Sequence, residues 1–209
     1  MRNGKNGVAK VIVNISSTQG VACDPAEVAY EASKHALEGM SGVLAAEVHP
    51  LGIRTVVVNL GSFRTGFALG DSSGAGSVDP EFQKQDAEGE DGDNPYRDLA
   101  HPVRKRIDAC LKFAKMPEAA RGDPRKGARV LFDVVMKREG SKADEALGKQ
   151  REAIETGKGG SASKIERLIL GSDALPKIER QSRWFDMQVE SCRAVSSEAD
   201  ADGVKPIGG

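Results

Sequence analysis

With 209 residues, 39% of them hydrophobic, the chain is long enough for one sizeable domain and has the apolar share of a soluble protein. Thirty basic residues against thirty-one acidic ones leave a net charge of −1, which excludes a global field that would draw the chain to nucleic acid or to an anionic membrane. Cys23, Cys110 and Cys192 are odd in number, far apart and without metal-ligand spacing, so the sequence predicts reduced thiols, no metal site and a cytoplasmic protein.

In chain order, the β-branched run KVIVNIS over residues 10–16 predicts a strand buried on both faces of a parallel sheet, and it is too short for a signal or a membrane span. Asp24-Pro25 offers an N-cap and a first-turn proline for a long helix reaching Val48, with Leu37, Met40, Leu44 and Val48 along one stripe. His49-Pro50-Leu51-Gly52 ends it, and IRTVVVNL over 53–60 is a second buried strand. A strand, a helix and a strand in this order make a crossover unit with parallel strands, which is α/β architecture. The stretch from Gly70 to Asn94 lacks periodicity and carries Asp86, Glu88, Glu90, Asp91 and Asp93, the pattern of a solvated acidic loop.

After Pro102 a helix presents Val103, Ile107, Cys110, Leu111 and Ala114 on one face, and Gly122-Asp123-Pro124 breaks it. The next helix runs through Ala128, Leu131, Phe132 and Val135. Residues 137–164 are rich in Lys, Glu, Gly and Ser without a convincing core stripe, which predicts an exposed helix or a disordered insertion. RLIL at 167–170 is a third strand, closed by Gly171 and followed from Ala174 by a helix in which Ile178, Phe185 and Val189 pack inward; the tail DADGVKPIGG is expected to fray. One domain therefore divides into a core over 10–70, an acidic loop over 71–101, a helical segment over 102–136, the polar insertion over 137–164 and a C-terminal strand and helix over 165–200.

Chemistry concentrates near Tyr30. Ser17 stands at the C-terminal end of the first strand, the end at which open α/β sheets bind ligands. Tyr30 and Lys34 share a helix face at i and i+4. A free phenol ionises near pH 10, so an adjacent ammonium that favours phenolate would fit a phenol for proton transfer at a carbonyl or alcohol oxygen, while a serine hydroxyl bonds the same oxygen. A surface helix pair and a strand-end hydroxyl that caps the backbone are the plainer readings of the same residues. His35, His49 and His101 lack partners at useful spacing and read as packing or surface residues.

IVNISSTQG, YEASKHALEGMSGVLAAEVHPLGIRTVVVNL and GSFRTGF together resemble, in order and spacing, the short-chain dehydrogenase/reductase family. GDPRKGARVLFDVV and RLILGSDAL extend the likeness over nearly all of residues 8–200, the insertion excepted. The resemblance implies Tyr30 as acid/base, Lys34 as tuner of the phenol and ligand of the cofactor ribose, and Ser17 as partner of the carbonyl oxygen. Ser17 is preferred to Ser16 because the family's serine has a glycine three residues later, as Gly20 is here. Tyr30, Lys34, Gly61, Phe63 and Thr65 are then the cofactor-binding positions, NADP or NAD the cofactor, and a small alcohol or ketone the substrate. The Gly-x-Phe-Arg-Thr pattern points toward NADP, and the 26–48 helix toward a homo-oligomer.

This sequence departs from the family where Leu60-Gly61 replaces Pro-Gly. No glycine-rich turn follows a strand and opens a helix, as the family's pyrophosphate site requires. The expectation is an incomplete Rossmann-like domain, a doubly wound parallel sheet reduced to about three strands. The chain is expected to be truncated, poorly active by itself and marginally stable, with the outer edge of its first strand unpaired. The alternative is a non-catalytic remnant that acts as a binding or interaction module.

Overall fold

In a computed structural model, which describes residues 10–65, 98–116, 120–157 and 164–192, the β-branched runs form the strands that their composition favours. Strands β1 (Lys10–Ser17), β2 (Ile53–Leu60) and β3 (Ile165–Leu170) make one parallel sheet in the order β1-β2-β3. Ile15 pairs with Val58 and Val58 with Leu168 across it. Helix α1 (Val28–Val48) joins β1 to β2, and α2 (Pro102–Lys115), α3 (Pro124–Val135) and α4 (Lys142–Glu155) lie between β2 and β3 in the chain. Helix α5 (Ala174–Cys192) follows β3. This is the α/β class with three parallel strands, in the arrangement of one half of a doubly wound sheet.

The two faces of the sheet differ in chemistry. One carries Val56, Val58 and Leu60 with Val11, Val13, Leu168 and Leu170, and it packs against Val134 of α3 and Ala143 and Leu147 of α4. The other carries Asn14 and Asn59, which bond across to Ser41 and Glu38 of α1. Val56, Val57 and Val58 of the central strand are fully buried, as a strand covered on both faces requires.

Several elements depart from their sequence patterns for physical reasons. Helix α1 begins at Val28 with Glu27 at its N-cap, not at Asp24-Pro25, because Ala26 sits at φ 67° and a left-handed residue cannot open a helix. Its buried line is Glu31, Ser41 and Ala45, whereas Met40 is 55% exposed; Ser41 and Glu38 meet the asparagines Asn14 and Asn59 on the strand face beneath. Helix α3 turns Val134 inward and leaves Phe132 and Val135 exposed. The polar segment 137–164 contains α4, whose Leu147 is 1% exposed; Ala143, Leu147 and Ile154 at i, i+4 and i+11 are a narrow apolar line within a charged helix. In α5 Ala174 and Ile178 are buried, but Phe185 and Val189 are exposed.

The expected terminations hold. Gly52 takes the left-handed φ of 67° after α1 and its short 3-10 extension, and Asp123 caps α3 by accepting from the Arg125 and Lys126 amides ahead of Pro124. His101 accepts from the Val103 amide at the head of α2, a capping role that its spacing did not announce. The acidic stretch Gly70–Asn94 and the tail DADGVKPIGG lie outside the described residues. Among the described residues no helix is long and apolar enough to cross a membrane, and no group of acidic, histidine or cysteine side chains could hold a metal.

Candidate functional site

The site is built where β1 and β2 end. β1 runs into a 3-10 turn, Thr18–Gly20, capped by the Ser17 hydroxyl, which accepts from the Gln19 amide at 3.3 Å. Ser16, Ser17, Thr18 and Gln19 are all buried, so this polar turn is packed beneath the loop that leads to α1. A side chain at Gly20 would collide with the Ser16 hydroxyl and press on Glu38, so the glycine three residues after Ser17 is required by packing. The backbone of Ser17 is gripped separately: its carbonyl accepts from Asn59 at 2.8 Å, and the same amide group donates to Glu38 at 2.7 Å. Arg167 completes this set, donating to Asn59 at 2.5 Å and pairing with Glu38 at 2.8 Å. Asn59 is fully buried, so these partners are what make its burial tolerable.

Tyr30 and Lys34 stand in the first two turns of α1, and the Lys34 ammonium lies 5.7 Å from the centre of the Tyr30 ring. The same ammonium donates to the Ile15 carbonyl at 3.1 Å, two residues before Ser17. The structure thus brings Lys34 both to Tyr30 and to the end of β1. The Ser17 hydroxyl itself is turned toward the Gln19 side chain, at 2.8 Å from Oε1.

The turn after β2 is organised by contacts that spacing alone does not reveal. Gly61 donates to the Leu170 carbonyl at 2.7 Å, and a Cβ there would strike the Asp173 carboxylate, which accepts from the Ser62 amide at 2.8 Å. Asp173 does here, through the backbone, what the absent proline would do through its ring: it holds the turn. Phe63 forms a parallel bridge with Gly122, and its ring lies against Gly122 and Gly127, where any added side chain would collide with it. Arg64 donates to the Ala120 carbonyl at 2.8 Å, and Thr65 is exposed at the limit of the described turn.

An ion cluster walls this region on its outer side. Asp24 is paired with Lys177 of α5 and lies 3.2 Å from Arg106 of α2, which also pairs with Glu27. Burial pushes the Asp24 carboxyl up, but the hydrogen bond and charge of Lys177, with Arg106, outweigh it and hold the group below the usual carboxylate range. Glu31, buried in the first full turn of α1, accepts from the Asp24 amide at 2.5 Å and ties the loop to the helix that carries Tyr30. The sequence singles out Asp24 only as a helix cap and does not single out Gln19, Asn59, Asp173 or Lys177, because each is an ordinary polar residue until the fold assembles them.

A parallel α/β sheet whose first strand and helix carry Ser17, Tyr30 and Lys34 in this order defines an α/β protein of Rossmann type. The family model described as short chain dehydrogenase matches residues 1–73, and over that stretch the chain is similar to the short-chain dehydrogenase/reductase family. It is 48% identical over 67 residues to a 3-ketodihydrosphingosine reductase of Bacteroides thetaiotaomicron, a match covering 32% of this chain and 24% of that one. It is 32% identical over 133 residues to the uncharacterized oxidoreductase YusZ of Bacillus subtilis, covering 64% of this chain and 41% of that one. Dehydrogenase/reductase SDR family member 7B of Xenopus laevis is 34% identical over 148 residues, covering 69% of this chain and 44% of that one. The chain therefore spans less than half the length of these curated relatives. Among solved structures, a short-chain dehydrogenase from Streptomyces avermitilis superposes with a TM-score of 0.49 at 24% identity, over 91% of this chain and 52% of that one.

Proposed function

We propose that this chain carries the Ser-Tyr-Lys part of an NAD(P)-dependent oxidoreductase that interconverts an alcohol and a carbonyl compound. The observation that carries the reading is the position of the Lys34 ammonium, 5.7 Å from the Tyr30 ring and 3.1 Å from the Ile15 carbonyl beside Ser17. The i, i+4 spacing on α1 thus sets a cation beside the aromatic ring that the reading makes the acid/base, next to the strand end that carries Ser17. Lys34 uses one of its three protons on Ile15, and the two others suit the vicinal hydroxyls of a ribose.

The residues present thus fit the nicotinamide-ribose end of the cofactor. Tyr30 and Lys34 would hold the ribose, and the turn with Gly61, Phe63 and Thr65 would line the nicotinamide side; NADP is the form suggested by the Gly-x-Phe-Arg-Thr pattern. When bound, the nicotinamide would supply or accept the hydride. Tyr30 would hold or release the proton at the substrate oxygen, Ser17 would bond that same oxygen, and Lys34 would stand beside the phenol and hold the ribose. Asn59 would keep Ser17 in place through its carbonyl. Exposed Met40 and Val43 on α1 support a second copy of the chain as the partner of that helix.

Turnover of secondary alcohols with NADP or NAD, measured for the parent and for Tyr30→Phe and Lys34→Ala, tests the reading. Tyr30→Phe should lower kcat by about a hundredfold or more while leaving cofactor binding intact. Lys34→Ala should weaken both turnover and cofactor binding, read by nicotinamide fluorescence. Parent-like turnover in Tyr30→Phe would overturn the assignment.

A further inference from the structure

We propose that Gln19 is a positioning residue that presents the Ser17 oxygen to the substrate as a hydrogen-bond acceptor, so that the resting site favours the alcohol over the ketone. The inference rests on Ser17 being the partner of the substrate oxygen. It starts from the orientation of one side-chain amide. Gln19 Nε2 donates to Asp24 at 3.1 Å, and an ionised carboxylate only accepts, so the nitrogen end must face Asp24 and the oxygen end must face the turn. Two hydroxyls meet that oxygen, Ser17 at 2.8 Å and Thr18 at 2.7 Å. An amide oxygen has no proton to give, so both hydroxyl protons point at it.

The Ser17 oxygen also receives the Gln19 backbone amide at 3.3 Å, which leaves it one unused lone pair. A substrate hydroxyl can donate to that lone pair. A carbonyl oxygen cannot, and it must first draw the Ser17 proton away from Gln19. The lock is held from outside the turn, because Lys177 of α5 and Arg106 of α2 both face Asp24 and keep it charged. Turning the amide over would set its oxygen against the carboxylate. Gln19 is 9% exposed, so water offers little alternative.

Binding of cyclohexanol and cyclohexanone to the 15N-labelled chain, followed by NMR at the Ser17 and Gln19 resonances, tests this in the parent and in Gln19→Leu, Asp24→Asn and Ser17→Ala. The parent should bind the alcohol more tightly than the ketone. Gln19→Leu should move the ratio of dissociation constants about fivefold toward the ketone, the scale of one hydrogen bond. In a Ser17→Ala background Gln19→Leu should leave the ratio where it was, which separates action through Ser17 from a general loss of packing. Asp24→Asn, which lets the Gln19 amide turn over, should move the ratio in the same direction and shift the Gln19 side-chain amide proton resonances, so the inference is testable even should Gln19→Leu fail to fold. An unchanged ratio in the variants, with both ligands still perturbing Ser17, would overturn the inference alone. Absence of any perturbation at Ser17 in the parent would overturn the functional reading and this inference with it.

Discussion

The two edges of the sheet are finished in opposite ways. At β3 the Gln150 side chain of α4 donates to the Arg167 carbonyl at 2.8 Å and accepts from the Arg167 amide at 2.7 Å, as a neighbouring strand would. Below it, buried Glu166 is gripped by Arg54 at 2.7 and 2.8 Å and by Arg151 at 3.2 Å, and Arg151 reaches on to Asp144. At β1, which has no second strand neighbour among the described residues, the Ile15 carbonyl takes the Lys34 ammonium in an exposed contact. A neutral amide that satisfies donor and acceptor together closes an edge; a single cation on one carbonyl does not. The closed edge is structural, and the open one adjoins the residues assigned to chemistry.

That contrast can be broken by substitution. The largest effect is expected at Glu166→Ala, which strands Arg54 in a partly buried position and should cost about 3 to 5 kcal/mol in urea unfolding. Leu147→Ala, beneath the same edge at 1% exposure, should cost about 3 kcal/mol by the cavity that it leaves. Gln150→Leu should cost about 1 kcal/mol and speed hydrogen exchange at the Arg167 amide, since a half-buried edge amide loses its acceptor. Lys34→Met should change stability by less than about 0.5 kcal/mol while removing function; a loss as large as that of Gln150→Leu would erase the distinction between the edges.

Acid sharpens the comparison at the wall between them. Asp24 has its folded-state pKa below the unfolded value, so the unfolded chain takes up the proton first as pH falls. Its contribution is complete above about pH 5 and is lost progressively below about pH 4. Asp24→Asn should therefore flatten that part of the stability profile, measured by thermal unfolding across pH 3 to 6.

Both strands before residue 61 were legible as continuous β-branched runs, KVIVNIS and IRTVVVNL, although the burial expected on both faces holds only for β2: at the sheet edge Val11, Ile12 and Val13 of β1 are half-buried and Ile15 is 41% exposed. The inward lines of α1 and α3 were not legible, because an apolar stripe is only one way to bury a helix. Over Asn14 and Asn59 the better partners are Ser41 and Glu38, and the sequence of α1 by itself does not disclose what lies beneath it. The insertion was misjudged for a related reason: three apolar residues suffice for a helix that also bonds to a strand edge.

The sequence by itself determined the parallel α/β class and the order of Ser17, Tyr30 and Lys34, since strand composition and helical spacing are properties of neighbouring residues. Only the tertiary structure decided which polar groups meet them. Asn59 on the Ser17 carbonyl, Asp173 on the Ser62 amide and Lys177 on Asp24 join residues 42 to 153 positions apart, and hydrogen bonds at that separation exist only once the backbone has set donor and acceptor within reach.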